Sequence, residues 1–236
     1  MKQIMQWVAV VLLGAMSAPG MATELTGNAG FVTDYVWRGI DASNGKAAAQ
    51  GGLDASWDNG LFAGTWLSTV EVSNGSNFLE DDSGIEIDLY GGWGGETGDW
   101  SYSVSGTYYT FTDNVAEDFI ELNLSGGWKW FTLTLSPGEY DSQPESQKYL
   151  YGSLTGELKG FYATLGYWDW DDDDVPGNLQ SGGYGELGYS NTLEINGTEL
   201  FDYTISYVYA EDDLIVNDQS QNTLIFGVTK HFGILD

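Results

Sequence analysis

The sequence predicts an all-β protein, a transmembrane antiparallel up-and-down β-barrel of about twelve strands with short periplasmic turns and longer external loops. Three observations predict it. From residue 23 onward the dominant hydrophobic period is two, the period of a strand. The alternating segments number about twelve and run roughly ten residues each, the length a tilted strand needs to cross a bilayer. Their connectors alternate between tight turns and long polar stretches, which places both termini on the short-turn side and requires an even strand count.

The first element is a leader. Met1-Lys2 gives a positive start, Ile4 to Met16 is mostly apolar, and Gly20 and Ala22 supply small residues at a cleavage site. This is the pattern of a secretory signal over residues 1–22. A retained anchor helix is the alternative, but the apolar stretch is short for a span of ~20 residues. Residues 23–236 are then one barrel domain, and no later stretch is apolar enough for a transmembrane helix.

The predicted strands follow in order. The first lies near 28–38, the second near 47–57 and the third near 61–70, the last two joined by Asp58-Asn59-Gly60, a tight hairpin turn. The fourth sets Ile85, Ile87, Leu89 and Trp93 against Glu86, Asp88 and Tyr90. The fifth sets Trp100, Tyr102, Val104 and Tyr108 against Ser101, Ser103, Ser105 and Thr107. The sixth and seventh carry Ile120, Leu122, Leu124 and Trp128, then Phe131, Leu133 and Leu135, opposite Glu121, Asn123, Thr132 and Thr134. Less regular runs occur near 148–156, 160–168, 182–190 and 222–232, and Phe201, Tyr203, Ile205 and Tyr207 form a clean run between the last two. Asn191 to Thr198, containing Asn196-Gly197, is the longest of the short turns. The long connectors are 39–46, 71–83, 112–117, 137–147, 169–181 and 210–221.

A soluble β-sandwich or lipocalin-like barrel also alternates. Two features favour the membrane. Trp37, Trp57, Trp93, Trp100 and Trp128 sit on the apolar face near segment ends, where interfacial aromatic girdles form. The opposite face is Ser, Thr, Asn, Asp and Glu in segment after segment, whereas a small soluble barrel needs an apolar interior.

Composition narrows the function. With 35 acidic and 7 basic residues the formal charge is -28, so nucleic acid is not a partner. No cysteine is present, which excludes disulfides, thiol catalysis and cysteine-bound metal. The single histidine, His231, is not accompanied by a marked nucleophile, so no catalytic residue is assigned and no enzyme activity is expected. The run Asp169-Trp170-Asp171-Asp172-Asp173-Asp174 offers oxygen ligands, but its sixth position is Asp174 where a calcium loop of the EF-hand type needs glycine. A solvated acidic surface, joined by Asp81-Asp82 and Glu211-Asp212-Asp213, accounts for it, and no metal or cofactor is assigned.

Some segments carry a family resemblance. Thr26 to Ile40, with Asp34-Tyr35-x-x-Arg38-Gly39 inside it, is followed by Gly45 to Asp54 with Gln50-Gly51-Gly52-x-Asp54, then by Gly60 to Trp66 and Glu86 to Gly92. Together they resemble the TorF family of porins of Gram-negative bacteria, densely over 25–95 and as a general strand pattern after that. Thr33 stands where serine is expected and Ala47 where proline is expected. The resemblance implies an outer-membrane barrel with a pore role and brings no catalytic residues. At the carboxyl end Gly227 and Phe232 keep part of the pattern read by the barrel-assembly machinery, but Phe232 is not terminal and Lys230 replaces an apolar residue.

The register turns Asp34, Arg38, Asp54, Glu86, Asp88, Glu121, Glu186 and Asp202 toward the lumen. Asp34 and Arg38, four apart on one strand, are separated by about 13 Å and cannot pair closely. Arg38, the only arginine, is expected to meet an acid on a neighbouring strand, either as part of a network that rigidifies the barrel or beside a constriction that favours cations. A twelve-strand barrel lies between filled eight-strand barrels and open porins, and an inward Tyr90, Tyr109 or Tyr184 would narrow it further. The expected function is therefore passive diffusion of small hydrophilic solutes or ions, with preference for cations, in the outer membrane. The partners are lipid, the assembly machinery and the solutes; oligomeric state is left open. The alternative is a non-conducting structural or adhesive barrel.

Overall fold

The structure, a computed structural model, describes residues 22–73, 81–141, 146–171, 180–211, 214 and 221–235. The expected leader lies outside these residues except for Ala22, as do Asp172 to Asp174, Asp212 and Asp213 of the acidic loops. Among the described residues fourteen strands occur: β1 (Glu24–Val32), β2 (Val36–Trp37), β3 (Ile40–Asp41), β4 (Ala48–Ser56), β5 (Leu61–Ser73), β6 (Asp81–Thr97), β7 (Trp100–Phe111), β8 (Phe119–Trp128), β9 (Phe131–Tyr140), β10 (Gln147–Leu158), β11 (Phe161–Trp170), β12 (Gly182–Ile195), β13 (Thr198–Ala210) and β14 (Gln221–Leu235). Twelve close into one antiparallel up-and-down barrel. β1 pairs with β4 on one side and with β14 on the other, which seals the sheet and leaves no edge. β2 and β3 form a separate two-stranded ribbon.

Alternation decides which side chains face out. Leu53, Leu67, Leu89, Val104, Leu122, Leu124, Leu133, Leu135, Leu154 and Leu165 point outward and are exposed. On a water-soluble protein so continuous an apolar surface would demand cover; around a closed barrel it fits lipid. The exposed tryptophans Trp93, Trp100, Trp128 and Trp130 lie at the short-turn end of this band, with Trp100 and Trp128 directly paired across β7 and β8. Tyr167, Tyr207 and Tyr209 mark the long-loop end. Trp57, also near a short turn, is half-buried, and its indole N–H has no partner.

The short-turn end is tighter than its sequence suggests. β12 and β13 pair as far as Ile195 with Thr198, so the connector is only Asn196-Gly197, both at positive φ (54° and 77°). Positive φ at both central residues is what a two-residue hairpin turn requires, and Asn-Gly is the pair best suited to it. The expected turn over 191–198 is thus mostly strand.

The first strand departs further. It ends at Val32 instead of continuing to Arg38. The N–H of Thr33 still reaches Phe226 O at 2.9 Å, but the N–H of Tyr35 goes to Ser43 Oγ at 2.8 Å, within the same connector. Residues 33–47 therefore leave the wall and carry the β2–β3 ribbon into the barrel. Val36, Trp37 and Ile40 are apolar because they pack inside, where they meet aromatics of the wall.

Because Leu124 faces outward at the middle of β8, Leu124→Arg places a charge at the middle of the apolar band. Urea unfolding in lipid vesicles should show a loss of about 2–4 kcal/mol. Ser125→Asn, on the inward face one residue away, should change stability little.

Candidate functional site

The interior divides into two halves. Toward the short turns the walls are polar, with hydroxyl pairs bridging neighbouring strands: Ser125 to Thr134 at 2.8 Å and Thr155 to Thr164 at 2.9 Å. Toward the long loops the walls are aromatic. Tyr109, Phe119, Tyr149, Tyr151, Trp168, Trp170 and Tyr184 are buried there and pack in one cluster. This half is not the uniformly polar interior that the sequence suggests; the aromatics fall on the inward parity at the long-loop ends of their strands.

The β2–β3 ribbon enters that aromatic half. Its tip is Arg38-Gly39, with φ of 50° and 87°, again a two-residue hairpin turn with both φ positive. Gly39 is required twice over. Its φ suits glycine, and a Cβ there would lie 2.7 Å from Tyr184 Cβ. Below the tip, Trp37 sits 5.4 Å from the Tyr109 ring, 5.8 Å from Phe119 and 5.2 Å from Trp168. Trp37 is therefore not part of an outer girdle. Its assignment there fails because the strand ends five residues earlier.

Arg38 is the one arginine or lysine among the described residues of this aromatic half. Its guanidinium forks onto Glu121, with Nη1 to Oε1 at 2.6 Å and Nη2 to Oε2 at 3.2 Å. Glu121 also accepts the hydroxyls of Tyr109 at 2.9 Å and Tyr149 at 2.8 Å, so its side chain, fully shielded from solvent, is well satisfied. The guanidinium carbon lies over the rings of Tyr151 (4.1 Å), Trp37 (4.9 Å) and Trp168 (5.5 Å), an enclosure suited to a delocalised planar cation. The indole N–H of Trp168 donates to the Arg38 carbonyl at 3.0 Å, which fixes the tip by its backbone as well.

The other acids divide into two groups. Glu86 and Asp88 point inward from β6 and are 3% and 9% exposed. Glu86 is hydrogen-bonded by Tyr35, and Asp88 lies within Coulomb range of Glu86, Glu121 and Arg38. Asp88 Oδ1 is buried without a partner. One guanidinium thus pairs with Glu121 and lies within Coulomb range of Asp88, while Glu86 neighbours Asp88. Asp54, Glu186 and Asp202 lie instead on the polar walls, each with its own hydroxyl donor: Tyr90 for Asp54, Tyr162 at 2.7 Å for Glu186, and Thr192 at 2.5 Å for Asp202. His231 Nε2 is 3.4 Å from Asp202 Oδ2. Among the described residues no group of acids and histidine is arranged to hold a metal ion.

Asp34 lies at the rim, beyond the last residue of β1, 3.0 Å from Ser43 Oγ. Burial and the neighbouring Asp41 carboxylate push it up to about 6, against the pull of Ser43. It does not share the Arg38 site: of the two residues that the sequence places on one strand, Asp34 stands at the base of the connector and Arg38 at its tip.

Two outcomes follow. Glu121→Ala strands the buried guanidinium and should cost about 3–5 kcal/mol in urea titrations of the detergent-folded barrel, while Arg38→Met with Glu121→Met should recover most of it. Asp34 binds its proton more tightly folded than unfolded, so its stabilising contribution is complete below its ordinary value of 3.8 and is lost as pH rises through about 6. Asp34→Asn, always neutral, should gain thermal stability relative to the parent across that window, with no further gain above it.

A family model described as "Bacterial protein of unknown function (Gcw_chp)" matches residues 16–172. That stretch holds the ribbon, Arg38, Glu121 and all the rings around the guanidinium. No curated protein matches the chain at a significant level. With the match covering well over half of its length, the chain belongs to the bacterial Gcw_chp family.

Proposed function

We propose that the chain is an outer-membrane channel for small hydrophilic cations, closed at its long-loop half by its own first connector. The observation that carries this reading is the charge inside the barrel: Glu86, Asp88 and Glu121 are buried in it, Glu121 paired with the single arginine, with Asp54, Glu186 and Asp202 farther along the polar walls. A lumen of that sign repels anions and concentrates cations. The apolar outward face, the girdles at both ends and the resemblance to TorF porins support the membrane location. Folding would be assisted by the barrel-assembly machinery, and neither cofactor nor energy coupling enters the mechanism. No enzymatic step is assigned.

The packing of Trp37 and Arg38 favours a second reading, a structural barrel that conducts nothing. The aromatic half is filled by the ribbon, so conduction requires that the ribbon shift. Planar-bilayer recordings under a KCl gradient separate the two readings. The channel reading expects brief, infrequent openings of the parent protein with a reversal potential favouring K⁺, and longer openings in Gly39→Val, whose side chain cannot fit against Tyr184. Silence from both, with barrel folding verified, would favour the structural reading; anion preference would remove the role of the acidic walls.

A further inference from the structure

The seat of the Arg38 guanidinium is built by the wall, not by the connector. Tyr109 comes from β7, Glu121 from β8, Tyr149 and Tyr151 from β10, and Trp168 from β11. These strands are held by ladders that run unbroken through β7–β8, β9–β10 and β10–β11 and lapse between β8 and β9 only at Leu122 and Asn123, and the two hydroxyls that orient Glu121 belong to the same wall. The ribbon contributes only Arg38 itself and one ring, Trp37. Withdrawal of the ribbon therefore leaves a preorganised site: a buried carboxylate with two bound hydroxyls, two aromatic faces at its sides, and the unpartnered Asp88 Oδ1 within Coulomb range.

From this arrangement we infer that the lumen contains a binding site for organic cations bearing a guanidinium group, and that Arg38 occupies it as a tethered stand-in for the ligand. The ligand class follows from the donors and faces. A forked carboxylate recognises a planar pair of N–H groups, which guanidinium has and a metal ion or simple ammonium lacks. The rings of Tyr151 and Trp168 stack on a delocalised cation. Asp88 offers an acceptor to a second positive or N–H group on the same molecule. The site also explains why a barrel with such an excess of interior acid places its one arginine at the tip of a connector: an intramolecular ligand closes the path, and a free one competes with it. This inference rests on the channel reading only for the ligand's passage; binding itself does not require conduction.

The test is binding of guanidinium chloride, and of L-arginine amide as a larger probe, to the detergent-folded full barrel. Thermal stability and tryptophan fluorescence are read at concentrations well below those that denature, with KCl at equal ionic strength as reference. Arg38→Ala vacates the seat and should acquire saturable, guanidinium-specific stabilisation at least about tenfold tighter than the parent, in which the tethered ligand competes. Arg38→Ala with Glu121→Gln should lose it. Should Arg38→Ala not fold, Gly39→Ala, which retains Arg38 but forces its tip off Tyr184, should also bind guanidinium more tightly than the parent. Equal responses to guanidinium and KCl in the vacated variant, or an unchanged response after Glu121→Gln, would overturn the inference. Specific binding by a barrel that is silent in bilayers keeps the site and removes the channel; conduction without specific binding does the reverse.

Discussion

The ion pair between Arg38 and Glu121 is the interaction around which the interior is arranged. A guanidinium taken into a barrel loses its water, and only a well-formed partner offsets that loss. Here the partner is forked, further bonded by Tyr109 and Tyr149, and walled by Tyr151 and Trp168. The geometry is attainable because Arg38 arrives on a hairpin tip whose following residue is glycine. Any Cβ at Gly39 would collide with Tyr184. The ribbon, the tip and the aromatic half of the lumen are consequences of seating one charge.

That arrangement divides the barrel into two environments. At the short-turn half, hydroxyls and carboxylates pair locally along the wall, as Tyr162 does with Glu186 and Thr192 with Asp202. At the long-loop half, rings bury three carboxylates, and one of them, Glu121, holds the arginine. The same residue type therefore has different meaning by depth. Glu186 is an ordinary satisfied wall acid, whereas Glu121 is an anchor.

The wall was legible in the sequence because lipid on one side and polar lumen on the other impose period two on every crossing. Segments such as Ile85 to Trp93 and Ile120 to Trp128 show that signal plainly. The expectation that Arg38 meets an acid on another strand also agrees with the geometry, since a lone arginine in an acidic lumen has few other stable positions. The ribbon was not legible from alternation, since its two strands hold only two residues each, too few to show a period. The signal that identifies it is turn chemistry: an X-Gly pair with both residues at positive φ, as Asn196-Gly197 is at the other end. Nor does period two reveal which inward positions are packed by a returning segment, so the aromatic half and the interior place of Trp37 required the tertiary structure.

The most direct test of this account is amide hydrogen exchange of the detergent-folded barrel over residues 33–47. The account predicts that the amides of Tyr35, Ala42 and Ser43, bonded to Ser43 Oγ, Tyr35 O and Asp41 Oδ1 respectively, exchange far more slowly than an open loop. It predicts as well that this protection falls sharply in Glu121→Ala while the wall strands keep theirs. Exchange of 33–47 at the rate of a solvated chain in the parent protein would contradict a ribbon seated in the lumen and, with it, the role assigned to Arg38.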